Sequence, residues 1–450
     1  MIRRHSIVVR LGAADKAKIG IADTDSVQTP IQFIEGEKTL GYGLGQLIDS
    51  LIRRGVSPSE TAVDLALVSA TVTAADTRIS RATESQDSWT REIDLYIPVS
   101  DPELFESQAS LLERILAFLT GDRWRLYFRP RLKTLATLVA KKQLKVAPFD
   151  SVCLFSGGLD SYIGAIDLLH AGRNPLLVSH YWENSTSSQE ICAKRIGTVY
   201  GDMDPRHVRA RVGFANNLVK GCESETTTRG RSFLFFGMAV LAASGLSDPA
   251  IVIPENGLIS LNVPLDPLRL GAWSTRTTHP FYLARWQELL DGLGIDGAIV
   301  NPYRFMTKGE MVAGCANQTL LKYAAETISC SSISKGRWKK LAKGHCGHCT
   351  PCLIRRASLE KGLGKDLTPY ALSNLQGIKL DGHLAESEHI RSFQLMARRL
   401  AKRPGIEQIL VHKPGPLTDY SDSDTSQYAS VFRRGIEEVG DVVSKVTVKP

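Results

Sequence analysis

Apolar positions along the chain follow two rhythms, and each predicts its own set of elements. In residues 1–148, short apolar or alternating runs predict strands at Ser6–Leu11, at Arg91–Ile97 (ended by Pro98) and at Arg125–Phe128. Helical spacing predicts helices at Leu44–Arg54, after the Ser57-Pro-Ser-Glu start, and over Pro102–Leu119, where Leu104, Leu111, Leu112, Ile115 and Leu119 recur. This mixture reads as an α+β module serving partner or dimer contacts. Gly41, Gly43 and Gly45 read as a turn into the first helix. Over 149–375 the apolar strands Val152–Phe155, Pro175–Ser179 and Ala250–Ile253 alternate with apolar helices, among them Phe233–Ala243. That alternation predicts an α/β fold with a doubly wound parallel sheet. The tail, 376–450, reads as a helical segment through Met396 and Ala401, a strand-like Ile409–Val411 and a mobile polar loop over Thr418–Gln427.

The stretch Val152 to Ser161 adds chemistry to one of these strands. Ser156, Gly157 and Gly158 allow a tight turn with free amides, and Leu159, Asp160 and Ser161 open a helix. Unpaired amides at a helix start favour an anion. Asp160 would repel a bare phosphate, so it is expected to hold Mg²⁺ between itself and a polyphosphate. No Gly-Lys-Ser/Thr follows a glycine, so the nucleotide loop that clamps phosphates with a lysine is excluded. The motif resembles the pyrophosphatase loop of the N-type ATP pyrophosphatases, which cleave ATP between the α- and β-phosphates.

Cysteines supply a second site. Cys346-Gly-His-Cys349-Thr-Pro-Cys352 follows Cys330 at a distance, and this spacing suits a tetrahedral structural Zn²⁺. His345 and His348 are possible substitute ligands, and a 4Fe–4S cluster is the alternative occupant. Cys153, Cys192, Cys222 and Cys315 read as core or incidental thiols.

The order of loop, Thr307-Lys308-x-Glu310 element and cysteine set resembles the 7-cyano-7-deazaguanine synthase family over about Phe149 to Tyr370. That resemblance implies a QueC-like enzyme of queuosine biosynthesis that uses ATP to activate a deazaguanine carboxylate. It makes Tyr181 a nucleotide-side residue, and places Arg231 of Gly230-Arg231-Ser232 against phosphate or carboxylate, with Asp160, Lys308 and Arg231 as the catalytic set. Ser232 stands where the family has Asn, and the family's Gly-Tyr-Pro-Asp segment is not recognisable. The segments from Pro254 to Leu265 and Ser274 to Pro280 replace it, with Glu255, Asn256, Arg276 and His279 as candidate substrate residues. Both segments resemble the synthase-like branch of bacterial anti-phage operons, those of the Qat system in particular. This branch implies acyl transfer to the amino terminus of an operon-encoded partner protein instead of release of a free nitrile.

Composition narrows the setting. The chain has 450 residues and a formal net charge of +8, which suits nucleotides and acidic partners and leaves tRNA open. Arg10 interrupts the apolar run after Arg3 and Arg4, so no signal peptide is predicted; Phe233–Ala243 is too short to span a bilayer, and a cytoplasmic protein is expected. Some residues keep two readings. Thr307 and Glu310 have capping-box spacing, while Lys308 at a first helical turn opposes the helix dipole and suggests a phosphate. His279 is either a general base or a packed loop histidine. Lys335, Arg337, Lys339, Lys340 and Lys343 form either a solvated basic face or a contact surface for an acidic partner or RNA. A tRNA-thiolating pyrophosphatase, a nucleotide-binding regulator without catalysis and a zinc-dependent nucleic-acid binder are the competing functions.

Overall fold

The computed structural model describes residues 3–449 except 35, 37–38, 140–147, 182–185, 267–275, 332–343, 377–379 and 382–384. The basic run from Lys335 to Lys343 lies outside the described residues.

Two parallel sheets organise the chain. The first holds β1 (His5–Arg10), β2 (Val27–Gln32), β3 (Glu92–Val99) and β4 (Arg123–Pro130) in the order β2-β1-β3-β4, and every neighbouring pair is parallel. The expected α+β module is therefore corrected to an α/β layer. Parallel neighbours need long crossovers. The helices Leu44–Arg53 and Glu60–Arg78 supply one, and Pro102–Ser107 with Ala109–Thr120 another. Gln108, at φ −101° and ψ 0°, splits that second helical stretch in two. Spacing shows that strands exist, but not which way they pair. β3 also runs through Pro98. Its even-numbered residues face β1, whose pairing ends at Tyr96, so the missing N–H breaks no ladder bond.

The second sheet holds β5 (Ser151–Leu154), β6 (Pro175–His180), β7 (His207–Ala210), β8 (Ala250–Val252) and β9 (Ala298–Val300). Its order is β7-β6-β5-β8-β9, all parallel, as a doubly wound fold requires. The chain builds outward from β5 through β6 and β7, then returns to β8 on the other side. The crevice between β5 and β8 is thus the topological switch point, where such sheets bind ligands.

The apolar core crosses the boundary at residue 148. One cluster joins Ile7, Leu67, Leu95 and Leu116 to Val152, Phe233, Leu241 and Trp286. The helix Glu60–Arg78, buried on nearly all sides, lies against the helix Arg231–Ala243. The approach is close: a Cβ on Gly237 would sit 2.3 Å from Ser69 Oγ.

The tail is helical where extended or loop structure is expected. Ile409 lies in the short helix Glu407–Leu410. Most of the polar run Thr418–Gln427 is the start of the helix Asp422–Val443, capped by Ser421, whose hydroxyl accepts from Asp424 N at 3.1 Å. Polar residues gather there because a capped first turn favours hydroxyls and carboxylates. The helix Ala385–Lys402 follows the expectation. Tail residues such as Phe393 and Phe432 share a core with Leu258 and Leu353, so the tail packs on the second sheet's region.

Candidate active site and metal centre

β5 delivers its chain into Ser156-Gly157-Gly158 and then the helix Leu159–His170. Gly157 has φ +79°, and a Cβ there would lie 2.7 Å from Ser188 Oγ and 3.0 Å from Gln189 N. Both the conformation and the close approach require glycine. Ser156 Oγ and Ser161 Oγ lie 3.1 Å apart, Ser161 Oγ donates to Gly158 O at 3.0 Å, and Gly158 N donates to Ser156 Oγ at 3.3 Å. Gly158 is the N-cap and no side chain caps the helix. Its first-turn amides are therefore open to a ligand. Ser156 is exposed beside them.

Beneath the loop lies a buried ion pair. Asp160 Oδ1 meets Lys308 Nζ at 2.9 Å, with both side chains almost fully buried. Asp160 Oδ2 accepts from Asn256 Nδ2 at 2.7 Å and from Asn256 N at 3.2 Å. Asn256 Nδ2 also reaches Glu255 Oε1 at 3.2 Å. Burial pushes the Asp160 carboxyl up, but Lys308, Glu255 and Asn256 together outweigh it and hold Asp160 below its ordinary range. Burial, with the Asp160 carboxylate beside it, pushes Glu255 well above the ordinary range. The structure thus joins Asp160, Lys308, Glu255 and Asn256 at the β5/β8 crevice.

Two expectations change here. Lys308 Nζ is paired with Asp160, so its place at the first helical turn has a partner within the chain. Thr307 and Glu310 form a full capping box: Thr307 Oγ1 accepts from Glu310 N at 3.1 Å, and Glu310 Oε2 accepts from Thr307 N at 2.8 Å. Asp160, in turn, offers no free carboxylate for Mg²⁺, because an ammonium group and two amide donors occupy its oxygens. The residues do not fit a metal on Asp160, and no step is assigned to one there.

Tyr181 follows β6, and its ring receives the Arg209 guanidinium at 5.2 Å. Arg231 opens its helix near the same strand end, with its guanidinium 5.7 Å from the Phe235 ring and Phe235 in turn 5.7 Å from the His180 ring. Among the described residues Arg231 Nε is buried without a hydrogen-bond partner. Burial lowers the Arg231 pKa, and no carboxylate among the described residues offsets it. Arg276 and His279 have other partners. The Arg276 guanidinium lies 4.8 Å from the Phe118 ring, and His279 Nδ1 caps the helix Pro280–Leu293 by accepting from Phe281 N at 3.1 Å. Burial, then Arg276, pushes His279 down to about 3. It is a packed capping histidine and not an accessible base.

The four cysteines converge. Sulfurs of Cys330, Cys346, Cys349 and Cys352 all lie within 4.8 Å of one another. Cys330–Cys349 and Cys346–Cys352 are each 3.9 Å apart. Zn–S bonds of about 2.3 Å place tetrahedral sulfurs about 3.8 Å apart. The cluster can therefore hold one ion, and it is tighter than a cube of four irons with a thiolate at each corner. His345 accepts from Ser329 N at 3.3 Å, and neither it nor His348 belongs to the cluster.

This knot supports the loop. Ile328 N, two residues before Cys330, donates to Gly157 O at 2.9 Å. Cys349 is the N-cap of the helix Thr350–Leu363, which packs on the Lys308 helix, Lys308–Gly314. Arg355, fully buried, ties the knot's approach together through Thr327 Oγ1 at 2.8 Å and Ser329 Oγ at 3.2 Å. Further support comes from residues that no motif marks. Asp76 Oδ2 accepts from Gly230 N at 2.7 Å, just before Arg231. Arg91, fully buried, holds Asp76 at 2.8 Å and Asp122 at 2.6 Å. The signal available in the sequence was slight: Asp76 lies inside a largely apolar helix, while Arg91 and Asp122 sit just before β3 and β4.

Fold and site together define a parallel α/β protein with an uncapped glycine loop at the switch point and a four-cysteine cluster able to hold a metal. No family model, no curated protein and no solved structure matches the chain. No helix among the described residues is long and apolar enough to cross a membrane.

Proposed function

We propose that the chain is an ATP-dependent adenylating ligase of the 7-cyano-7-deazaguanine synthase-like kind, acting on a deazaguanine carboxylate. The observation that carries this reading is the Ser156–Ser161 loop over the Asp160–Lys308 pair at the β5/β8 crevice. The loop amides, Ser156 and Ser161 hold the polyphosphate of ATP. Tyr181 and Arg231 face it from the β6 side. Arg231, with no acidic partner among the described residues, suits a phosphate or carboxylate oxygen. A carboxylate oxygen of the substrate attacks the α-phosphorus in line. The bond to the bridging β-oxygen breaks, pyrophosphate leaves and an acyl-adenylate forms. An amine nitrogen then attacks the acyl carbon, loses a proton, and AMP departs. Fixed charge and positioning supply most of the rate, as in other phosphoryl transfers. Mg²⁺ accompanies ATP as its counter-ion, and Zn²⁺ in the cysteine cluster is structural.

The acceptor in this reading is the amino terminus of an operon-encoded partner, as in anti-phage defence. A second reading has ammonia as acceptor: the amide so formed is adenylated on its oxygen by a second ATP with loss of pyrophosphate, and departure of AMP with the oxygen and loss of the nitrogen's protons leaves the free nitrile. This reading is favoured by one observation: the first sheet shares the core of the second. Residues 1–148 thereby have a structural reason to exist without a partner.

The test is incubation of the full chain with ATP, Mg²⁺ and 7-carboxy-7-deazaguanine, with ammonia or with the products of neighbouring genes, followed by mass spectrometry. AMP and pyrophosphate are expected. A partner heavier by one deazapurine acyl group supports the defence reading, and free cyano-deazaguanine alone supports the nitrile reading. ADP as the main product overturns both.

A further inference from the structure

We infer that Glu438, on the C-terminal helix, is a positioning residue for Lys308, an inference that rests on the nucleotide site proposed above. Lys308 carries a long flexible stem, and a buried lysine aimed at one carboxylate gives up much rotamer freedom. Something must fix the direction in which the stem leaves the backbone. The capping box of Thr307 and Glu310 does this from one side only. Glu438, itself almost fully buried, does it from both. Its Oε1 accepts from the Thr307 hydroxyl, and its Oε2 accepts from Gly309 N at 3.3 Å. Thr307 and Gly309 are the two neighbours of Lys308, so one carboxylate grips the chain on either side of the lysine. Lys308 then points away from the tail, into the crevice, where it meets Asp160 at 2.9 Å.

The fit is specific. A Cβ on Gly309 would lie 2.9 Å from both carboxylate oxygens of Glu438, so position 309 must be bare for the grip to form. Lys361 Nζ, at 2.8 Å from Glu438 Oε1, balances the charge. Arg434, one turn earlier on the same helix, bonds Glu310 Oε1 and Phe305 O, each at 2.8 Å. The helix Asp422–Val443 is thus seated along 305–310, and the tail forms a wall of the site.

The experiment measures Lys308 directly, with the full chain. Limiting acetic anhydride is applied, and acetylation of Lys308 relative to the exposed Lys413 is read by peptide mass spectrometry. AMP formation is measured on the same samples. Glu438→Ala should raise the relative reactivity of Lys308 about tenfold and lower kcat for AMP formation roughly 10- to 100-fold, with KM for ATP changed little, as expected when a positioned group is displaced by about an ångström. Gly309→Ala approaches from the other side and favours the helix, so it should reproduce both effects even if Glu438→Ala folds poorly. Glu438→Gln keeps an acceptor for Thr307 and should recover part of each. Lys308 reactivity within about twofold of wild type in folded Glu438→Ala or Gly309→Ala, well short of the loss expected from misplacement, would overturn the inference. If the wild-type chain makes no AMP, the functional reading fails, while the labelling still decides what Glu438 does.

Discussion

At the carboxyl ends of its strands, the first sheet is closed by its own charges. Arg129 meets Asp15 at 2.5 Å, Arg131 meets Glu60 at 2.6 Å and also Asp64, and Ser100 N donates to Asp64 at 2.7 Å. The second sheet has the same parallel construction and leaves the corresponding edge open. The ion pair Asp160–Lys308 sits at its centre, Arg209 of β7 pairs with Glu190, and beside them lie an uncapped glycine loop and Arg231, whose buried Nε has no hydrogen-bond partner among the described residues. Two sheets of one kind therefore differ in the groups that their carboxyl edges leave uncapped or pair internally. An edge whose arginines are all paired has nothing to offer an anion. An edge with a helix start that no side chain caps does.

The largest expected effect concerns the knot that only the second sheet possesses. Structural zinc in small sites contributes apparent binding energies of about 10–16 kcal/mol. Cys349→Ser should remove about one zinc per chain, seen by elemental analysis, and unfold the region around Ile328 and the Lys308 helix. Hydrogen exchange should show β5–β9 losing protection before β1–β4. A brown, iron-containing protein would transfer the site to the cluster alternative, and uniform loss across both sheets would break the contrast.

A smaller effect separates the two buried pairs. Asp160→Ala leaves Lys308 charged and buried, and breaking such a pair costs about 3–5 kcal/mol. It should lower the denaturant midpoint as well as abolish AMP release. Asp64→Asn should cost less, because Arg131 keeps Glu60 as a partner at 2.6 Å and burial already pushes Asp64 up to about 6. It should also spare AMP release. Loss of AMP release in folded Asp64→Asn would show that the first sheet's edge takes part in the chemistry.

The smallest effect compares two glycines that follow strands. Gly12, after β1, has φ +87° and a would-be Cβ in ordinary contact with Ile34 at 4.0 Å, whereas Gly157 faces Ser188 at 2.7 Å. Gly12→Ala should cost about 1 kcal/mol through backbone strain alone. Gly157→Ala should cost more and weaken ATP binding, measured by calorimetry. Equal effects of the two on ATP would remove the loop from the site.

Much of this architecture was legible because its signals are local. The apolar run before Ser156 and the glycines after it predict a strand and a turn, and β5 and the helix Leu159–His170 follow. Cysteines two residues apart can reach one ion whatever the rest of the chain does, and they converge as their spacing predicts. Long amphipathic or apolar helices, such as Arg231–Ala243, announce themselves by period. Short strands do so poorly: β2, with Pro30 inside it, and the three-residue β9 carry too few apolar positions to stand out. The capped start of Asp422–Val443 is a local signal too, in Ser421 and Asp424, but polarity masked it.

By itself, the sequence determined the glycine loop, the four-cysteine set and the parallel character of the second sheet, since turn conformation, chelate spacing and strand–helix alternation act over a few residues. Only the tertiary structure decided that the first sheet is parallel, that His279 caps a helix in the core, and that Lys308 pairs with Asp160. The same holds for Asn256 on Asp160, Asp76 on Gly230 and Glu438 on Thr307. Each of these joins residues some 90 or more positions apart. No periodicity connects such residues; buried charges must find partners wherever the fold brings them, and only the packed chain shows which partner is in reach.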